Sequence, residues 1–202
     1  MNKIEIHDIQ ELLKEGYSAE YISNILTNIL ILSMKVKDDY PDYKQWFQTI
    51  QIPGIYDGTR NIIVAHINNK IVGFVSLKKT TEKKICTFYV EKNYRKNKIG
   101  SLLAEKAISY LEEEKPLITI PMDKLQEFIK IASKYNWEVT EIKENLYRTS
   151  TPEVIVNGSI QEKNYILPQN DKTLRKTYKI YKITTLKNNV LYIINIPQKL
   201  WK

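Results

Sequence analysis

Ile85-Cys-Thr-Phe-Tyr-Val90, followed by Glu91-Lys-Asn-Tyr-Arg95-Lys-Asn-Lys-Ile-Gly100-Ser101-Leu-Leu103, is the stretch on which the fold turns. Its first six residues read as a strand ending at Val90, and a basic loop follows. A helix begins near Lys98. Ile99, Leu102, Leu103, Lys106, Ala107, Tyr110 and Leu111 recur at helical spacing with only Lys106 polar, and Pro116 stops the run. The N–H groups at such a helix start have no partner inside the helix and favour an anion. The helix dipole adds about 0.3–1 kcal/mol per charge. Arg95, Lys96 and Lys98 bring cations to the same place, and Gly100 removes a Cβ where a ligand would approach the backbone. Together these features predict a diphosphate cradle. An ordinary basic helix start, with Gly100 serving helix–strand packing, accounts for the same residues.

Working upstream, residues 61–67 and 71–78 are β-branched runs joined at Asn68-Asn69-Lys70, a hairpin signal. With 85–90 they form a three-strand meander. Residues 3–7 alternate as a short first strand, and Ser18 is expected to cap a helix running to about Val36 through Ile22, Ile25, Leu26, Ile29 and Leu30. Pro41 opens an aromatic segment with Tyr43, Trp46 and Phe47. Residues 52–59, with Pro53, Gly54 and Gly58, read as a loop. Downstream, 117–120 reads as a strand buried on both faces, and Asp123 as the cap of a helix bearing Leu125, Phe128, Ile129 and Ala132. Residues 137–142 and 153–156 supply two more strands. This order predicts an α/β (α+β) fold: a mixed, mostly antiparallel sheet with helices on both faces. Residues 178–183 and 190–196 alternate again, so 159–202 is expected to be a small β-hairpin extension beyond a domain at 1–158.

The 202 residues are 43% apolar and 27% charged, which excludes collagen-like, low-complexity and wholly disordered chains. Cys86 is the single cysteine, so no internal disulfide and no cysteine-based zinc site is available. With His7 and His66 the only histidines, no metal is expected. The start of the chain lacks the basic-then-apolar order of a signal peptide, and the most apolar run, 25–34, is interrupted by Thr27, Asn28 and Ser33. A cytoplasmic protein without a membrane segment is the expectation. The net charge of +8 is uneven: residues 151–202 hold nine Lys/Arg against three acids. Such a tail suits RNA or an acidic partner, although lysines also serve simply as solubilisers.

Arg95-Lys-Asn-Lys-Ile-Gly100, preceded by Tyr94 and followed by Ser101-Leu102-Leu103, resembles the Arg/Gln-x-x-Gly-x-Gly/Ala motif of the GCN5-related N-acetyltransferases. Ile71-Val-Gly-Phe74 also looks like that family's third strand, and the resemblance covers roughly residues 2–158. It implies that acetyl-CoA is the cosubstrate, with no metal. The loop residues Arg95, Lys96, Asn97, Lys98, Ile99, Gly100 and Ser101 would bind its pyrophosphate through their amides. Backbone groups of Phe88, Tyr89 and Val90 would pair with the pantetheine arm, and the fourth and fifth strands would splay to admit the thioester. Two positions depart from the pattern. Lys98 stands at its first glycine, and Ala132 near the tyrosine that often acts as acid.

Acetyl transfer from sulfur to an amine needs a group that takes the amine's proton and one that attends the thiolate. Tyr147 is the candidate thiolate partner, and Glu82 and His66 are candidate bases acting through water. Each also reads as an ordinary surface or packed residue. Cys86 is expected to be a packed small side chain rather than a nucleophile. The resemblance places the acceptor near Tyr40, Tyr43, Trp46, Phe47 and the 52–59 segment, with Asp38, Asp39 and Asp42 close by. Three functions follow: N-acetylation of a small-molecule or protein amine, acetylation of aminoacyl-tRNA, or a non-catalytic module binding CoA, nucleic acid or protein. A monomer or homodimer fits each.

Overall fold

Asn68 and Asn69 both adopt left-handed backbone, with φ of 50° and 62°, as a tight hairpin turn requires. In a computed structural model describing residues 3–36 and 39–160, they join β2 (Arg60–Ile67) to β3 (Lys70–Lys79). A polar turn then leads into β4 (Lys83–Val90), so the expected meander is present. β1 (Ile4–Asp8) pairs antiparallel with β2. On the other side lie β5 (Leu117–Pro121), β6 (Val139–Lys143) and β7 (Glu153–Val156), and the sheet order is β1-β2-β3-β4-β5-β7-β6. Among the described residues, only the β4–β5 pairing is parallel. That step needs a crossover, which α5 (Ile99–Leu111) supplies.

The sheet is mixed and mostly antiparallel with helices on both faces, as the sequence implies. On one face Ile99, Leu103, Ala107 and Leu111 of α5 and Phe128 of α6 (Leu125–Lys134) pack against Ile63, Val75, Leu77, Ile85, Val154 and Val156. On the other, α1 (Ile9–Lys14) and α2 (Ala19–Ser33) set Ile9, Leu12, Ile22 and Ile29 against Ile62, Val64 and Phe74. Ser18 caps α2, its Oγ accepting the Tyr21 N–H at 3.2 Å.

Two expectations are corrected. The segment read as a loop is helical: α3 (Tyr43–Trp46) continues through a π-turn at Phe47–Gln51 into α4 (Ile52–Tyr56). Pro53 has no N–H to return to the Thr49 carbonyl, and the Ile52 N–H bonds five residues back to Phe47. Widening the helix there accommodates the proline instead of ending the helix. Asp123 does not cap α6. It sits in a 3-10 turn (Met122–Lys124), and no side chain caps the helix that follows. The expected hairpin at 178–196 and Asp38 lie outside the described residues.

Candidate active site

β4 and β5 are in register only at Lys84–Leu117 and Ile85–Ile118. Beyond these pairs the two strands separate: β4 runs on to Val90 along β3, whereas β5 continues along β7. A bulge marks the parting point: Ser76 pairs with Thr87 and Leu77 with Ile85, leaving Cys86 without an opposite number. Phe88 and Val90 pack on the α5/α6 face and Tyr89 on the α2 face, so both walls of the opening are set by alternation along β4.

At the top of the opening, β4 runs into a 3-10 turn at Lys92–Tyr94 and then into α5. Lys96 and Lys98 both have positive φ, 65° and 64°. Lys98 thus takes left-handed backbone at the N-cap and makes no side-chain capping bond to the first amides of α5. Lys96, Asn97 and Lys98 are exposed. Arg95 turns inward: its Nε donates to the Val90 carbonyl at 3.0 Å, and Nη1 pairs with Glu127 of α6 at 2.8 Å. A Cβ on Gly100 would point at Ile131 Cδ1, 3.3 Å away, and Phe88 Cε1, 3.8 Å away. The glycine therefore lets α5 approach α6 and β4 closely.

A second cluster lies at the β5 end of the opening. Arg148, in the β6–β7 connection, pairs through Nη1 with Asp39 and through Nη2 with Asp123, each at 3.2 Å. Beneath it Glu153, the first residue of β7, is fully buried, and neither carboxyl oxygen has a hydrogen-bond partner among the described residues. Burial pushes its carboxyl up to about 8; the Arg148 charge opposes this while Asp39 and Asp123 reinforce it. Tyr40 lies in the same cluster, its hydroxyl raised well above the ordinary value by burial and then by the charge of Glu153.

The predicted site residues fall in different places. Tyr147 joins this cluster, half-exposed, with its ring edge-on to Tyr40 at 5.3 Å. Glu82 sits in the β3–β4 turn, at the closed end of the β4–β5 opening, and pairs with Lys78 at 2.7 Å. His66 is on β2, two strands from β4, opposite Glu5 and with its ring 5.1 Å from His7. Burial lowers its pKa. Of the aromatic segment, Tyr43 and Phe47 are core residues, whereas Trp46 carries the Arg60 guanidinium 5.5 Å above its ring. Arg60 also reaches Cys86 Sγ at 3.5 Å, and burial pushes that thiol up, away from nucleophilic use. Sequence reasoning missed Glu153 and the bridging role of Arg148. The one available signal was a carboxylate opening a strand whose next three residues, Val154, Ile155 and Val156, are all apolar.

Among the described residues, no group of three or more His, Cys, Asp or Glu is placed to hold a metal ion, and no helix is long and apolar enough to cross a membrane.

The fold recurs in known structures. A GNAT-family protein from Desulfovibrio desulfuricans aligns over 76% of this chain and 97% of its own, at 8% identity and a TM-score of 0.56. A PaiA N-acetyltransferase from Thermoplasma acidophilum, solved with coenzyme A, aligns over 78% and 99%, at 16% identity and a TM-score of 0.50. Nourseothricin acetyltransferase aligns over 50% of this chain and 65% of its own, less than two thirds of its length, at 12% identity and a TM-score of 0.46. A comparison with curated proteins gives no match. The family model described as Acetyltransferase (GNAT) matches residues 11–121, from α1 through the parting of β4 and β5 to the end of β5. By that match, which takes in more than half of its residues, the chain belongs to the GNAT acetyltransferase family.

Proposed function

We propose that this protein is an acetyl-CoA-dependent N-acetyltransferase that acts on a primary amine. The observation that carries the reading is the parting of β4 from β5 directly below an uncapped, left-handed entry into α5. The residues present fit the cosubstrate. The β4 edge that β5 no longer follows suits an amide-bearing arm lying along Phe88, Tyr89 and Val90 as an added strand. Amides from Lys96 to Ser101 suit a pyrophosphate, with Lys96 and Lys98 supplying exposed charge. When bound, acetyl-CoA supplies an acetyl group activated as a thioester.

The chain's own part is to align amine and carbonyl, which can account for much of the acceleration. It also provides a partner for the departing thiolate, a role we assign to Tyr147. Glu82 and His66, set at the closed end of the opening and two strands away, would act only through relayed water. A buried thiol and the need for acetyl-CoA fit a cytoplasmic setting. Supporting the family reading, the PaiA structure holds coenzyme A.

The test is thermal unfolding over an acetyl-CoA series: at 100 times its dissociation constant a ligand stabilises by about 2.7 kcal/mol. A saturable rise in Tm is expected, and none at millimolar ligand would overturn the reading. A second reading, acetylation of an aminoacyl-tRNA, is favoured by the nine Lys/Arg in residues 151–202. It predicts RNA binding that weakens steeply with salt.

A further inference from the structure

A carboxyl group that is fully buried with neither oxygen hydrogen-bonded is a costly thing to keep in a fold. Glu153 is such a group, and nothing in its packing requires a carboxylate. Its β-ladder neighbours are Pro121 and Lys143. The Lys143 ammonium is engaged elsewhere, with the Ile160 carbonyl at 2.6 Å and Glu141 at 3.7 Å. Val154 and Val156 point to the α5/α6 core, so alternation turns Glu153 to the opposite face, toward Tyr40 and the connection after α2. It therefore lies beside the end of β5, across from the side that α5 would give to acetyl-CoA.

What covers it is informative. Arg148 is largely buried and stretches between Asp39 and Asp123, two carboxylates on separate segments. Tyr147, next in sequence, lies on Tyr40. One short connection between β6 and β7 thus brings a guanidinium to the buried acid and sets a phenol against Tyr40 beside it. Among the described residues, the charges that act on Glu153 are Arg148 before β7, Asp39 after α2, Asp123 after β5 and Lys84 from β4, with Tyr40 beside it and Tyr147 next to Tyr40.

We propose that Glu153 is the catalytic carboxylate that receives the acceptor's ammonium, in a cleft that Arg148 holds covered until a cationic primary amine takes its place. The inference rests on the acetyltransferase reading above. The acceptor arrives as R–NH3+ and gives one proton to the Glu153 carboxylate. The freed nitrogen lone pair attacks the thioester carbonyl, a C–N bond forms and the C–S bond breaks. The second nitrogen proton passes to the departing thiolate, and Glu153 later returns its own to solvent. The acid's upward displacement to about 8 keeps it a strong enough base for an ammonium near neutral pH. The same acidic surroundings, Asp39 and Asp123, select for charge on the acceptor over a neutral or anionic amine.

The test uses the full-length protein and Glu153→Gln, with spermidine and a lysine-containing peptide as acceptors and release of the CoA thiol as readout. Transfer at saturating acetyl-CoA is expected to fall at least 100-fold in the variant, and its rate to lose the rise through pH 8 that the wild type shows. The acetyl-CoA Tm shift should be unchanged, which separates loss of chemistry from loss of fold or cosubstrate. Carbon-13 labelling of glutamate carboxyls gives a readout independent of acceptor: one carboxyl should titrate near 8 and be missing from the variant. A variant as active as the wild type with the same pH profile overturns the assignment while leaving the acetyltransferase reading intact. Absence of any acetyl-CoA shift in either protein overturns both.

Discussion

Glu153 also has a consequence for stability, whatever the acceptor. Its carboxyl is raised in the folded protein from 4.5 to about 8. Between those values the unfolded chain has released the proton and the native state still holds it, so stability falls as pH rises. Below pH 4.5 the group makes no difference. Glu153→Gln should therefore match the wild type near pH 4.5 and exceed it by several kcal/mol above pH 8. Urea midpoints at pH 5, 6.5 and 8.5 check this, and a constant difference between the two proteins would contradict the burial argument. Lys98 poses the complementary case. A non-glycine residue at φ 64° costs about 1–2 kcal/mol of local strain. Lys98→Gly should hold or raise the Tm of the free protein while weakening acetyl-CoA binding several-fold through the lost charge. Unchanged or tighter acetyl-CoA binding by Lys98→Gly would show that the lysine does not serve the ligand. Legibility at this scale follows the same physics. The cationic loop could be read from the sequence because exposed charge needs no context. The Glu153 carboxyl could not, because its setting depends on Asp39, Tyr40, Lys84 and Asp123, which the fold brings in from distant segments.

At the scale of elements, the strands and helices with one clean periodicity were legible. Ser18 caps α2 as its sequence position suggests, and the Asn68-Asn69 pair turns the hairpin by the φ values such a turn demands. The failures share a cause. Pro53 and Gly54 were read as breakers, yet the helical run absorbs them through a π-turn. Asp123 looks like a cap by spacing but spends its carboxylate on Arg148, 25 residues away. In both cases context beyond the residue itself overrode the local rule: a widened helical turn for Pro53, a tertiary partner for Asp123. Gly73 shows what a glycine inside a strand does report: close approach of a neighbour. A Cβ there would lie 2.9 Å from the Tyr89 carbonyl oxygen and 3.3 Å from Leu103 Cδ1. Backbone on β4 cannot yield cheaply. Gly73→Ala should cost about 1–3 kcal/mol by urea unfolding, and it should also weaken acetyl-CoA binding, since Tyr89 forms one wall of the opening. An unperturbed midpoint would mean that β3 and β4 slide apart more easily than the packing implies.

For the whole molecule, the question is where the folding unit ends. The meander could be extended by any number of strands, but β7 is inserted between β5 and β6, so the last of the described strands is interior in the sheet. It brings Val154 and Val156 to the α5/α6 core and Glu153 to the candidate site. The chain remains tied to the sheet just past this strand. The Thr140 hydroxyl donates to the Gly158 carbonyl at 2.5 Å, and Lys143 donates to Ile160 at 2.6 Å. Asn157 closes the same edge through the Glu138 N–H at 2.9 Å and the Pro116 carbonyl at 3.1 Å. A chain cut after Ile160 keeps every one of these bonds, and one cut after Thr151 loses them together with β7. The first should unfold in a single cooperative transition and give the same acetyl-CoA shift as the full chain. The second should lack that transition, because β5 would then be left with only its two-residue pairing to β4. Retention of the acetyl-CoA shift by the 1–160 chain, with loss of RNA binding where the full chain shows it, would assign the two properties to separate stretches of sequence. Failure of the 1–160 chain to fold would mean instead that the basic tail supplies part of the core.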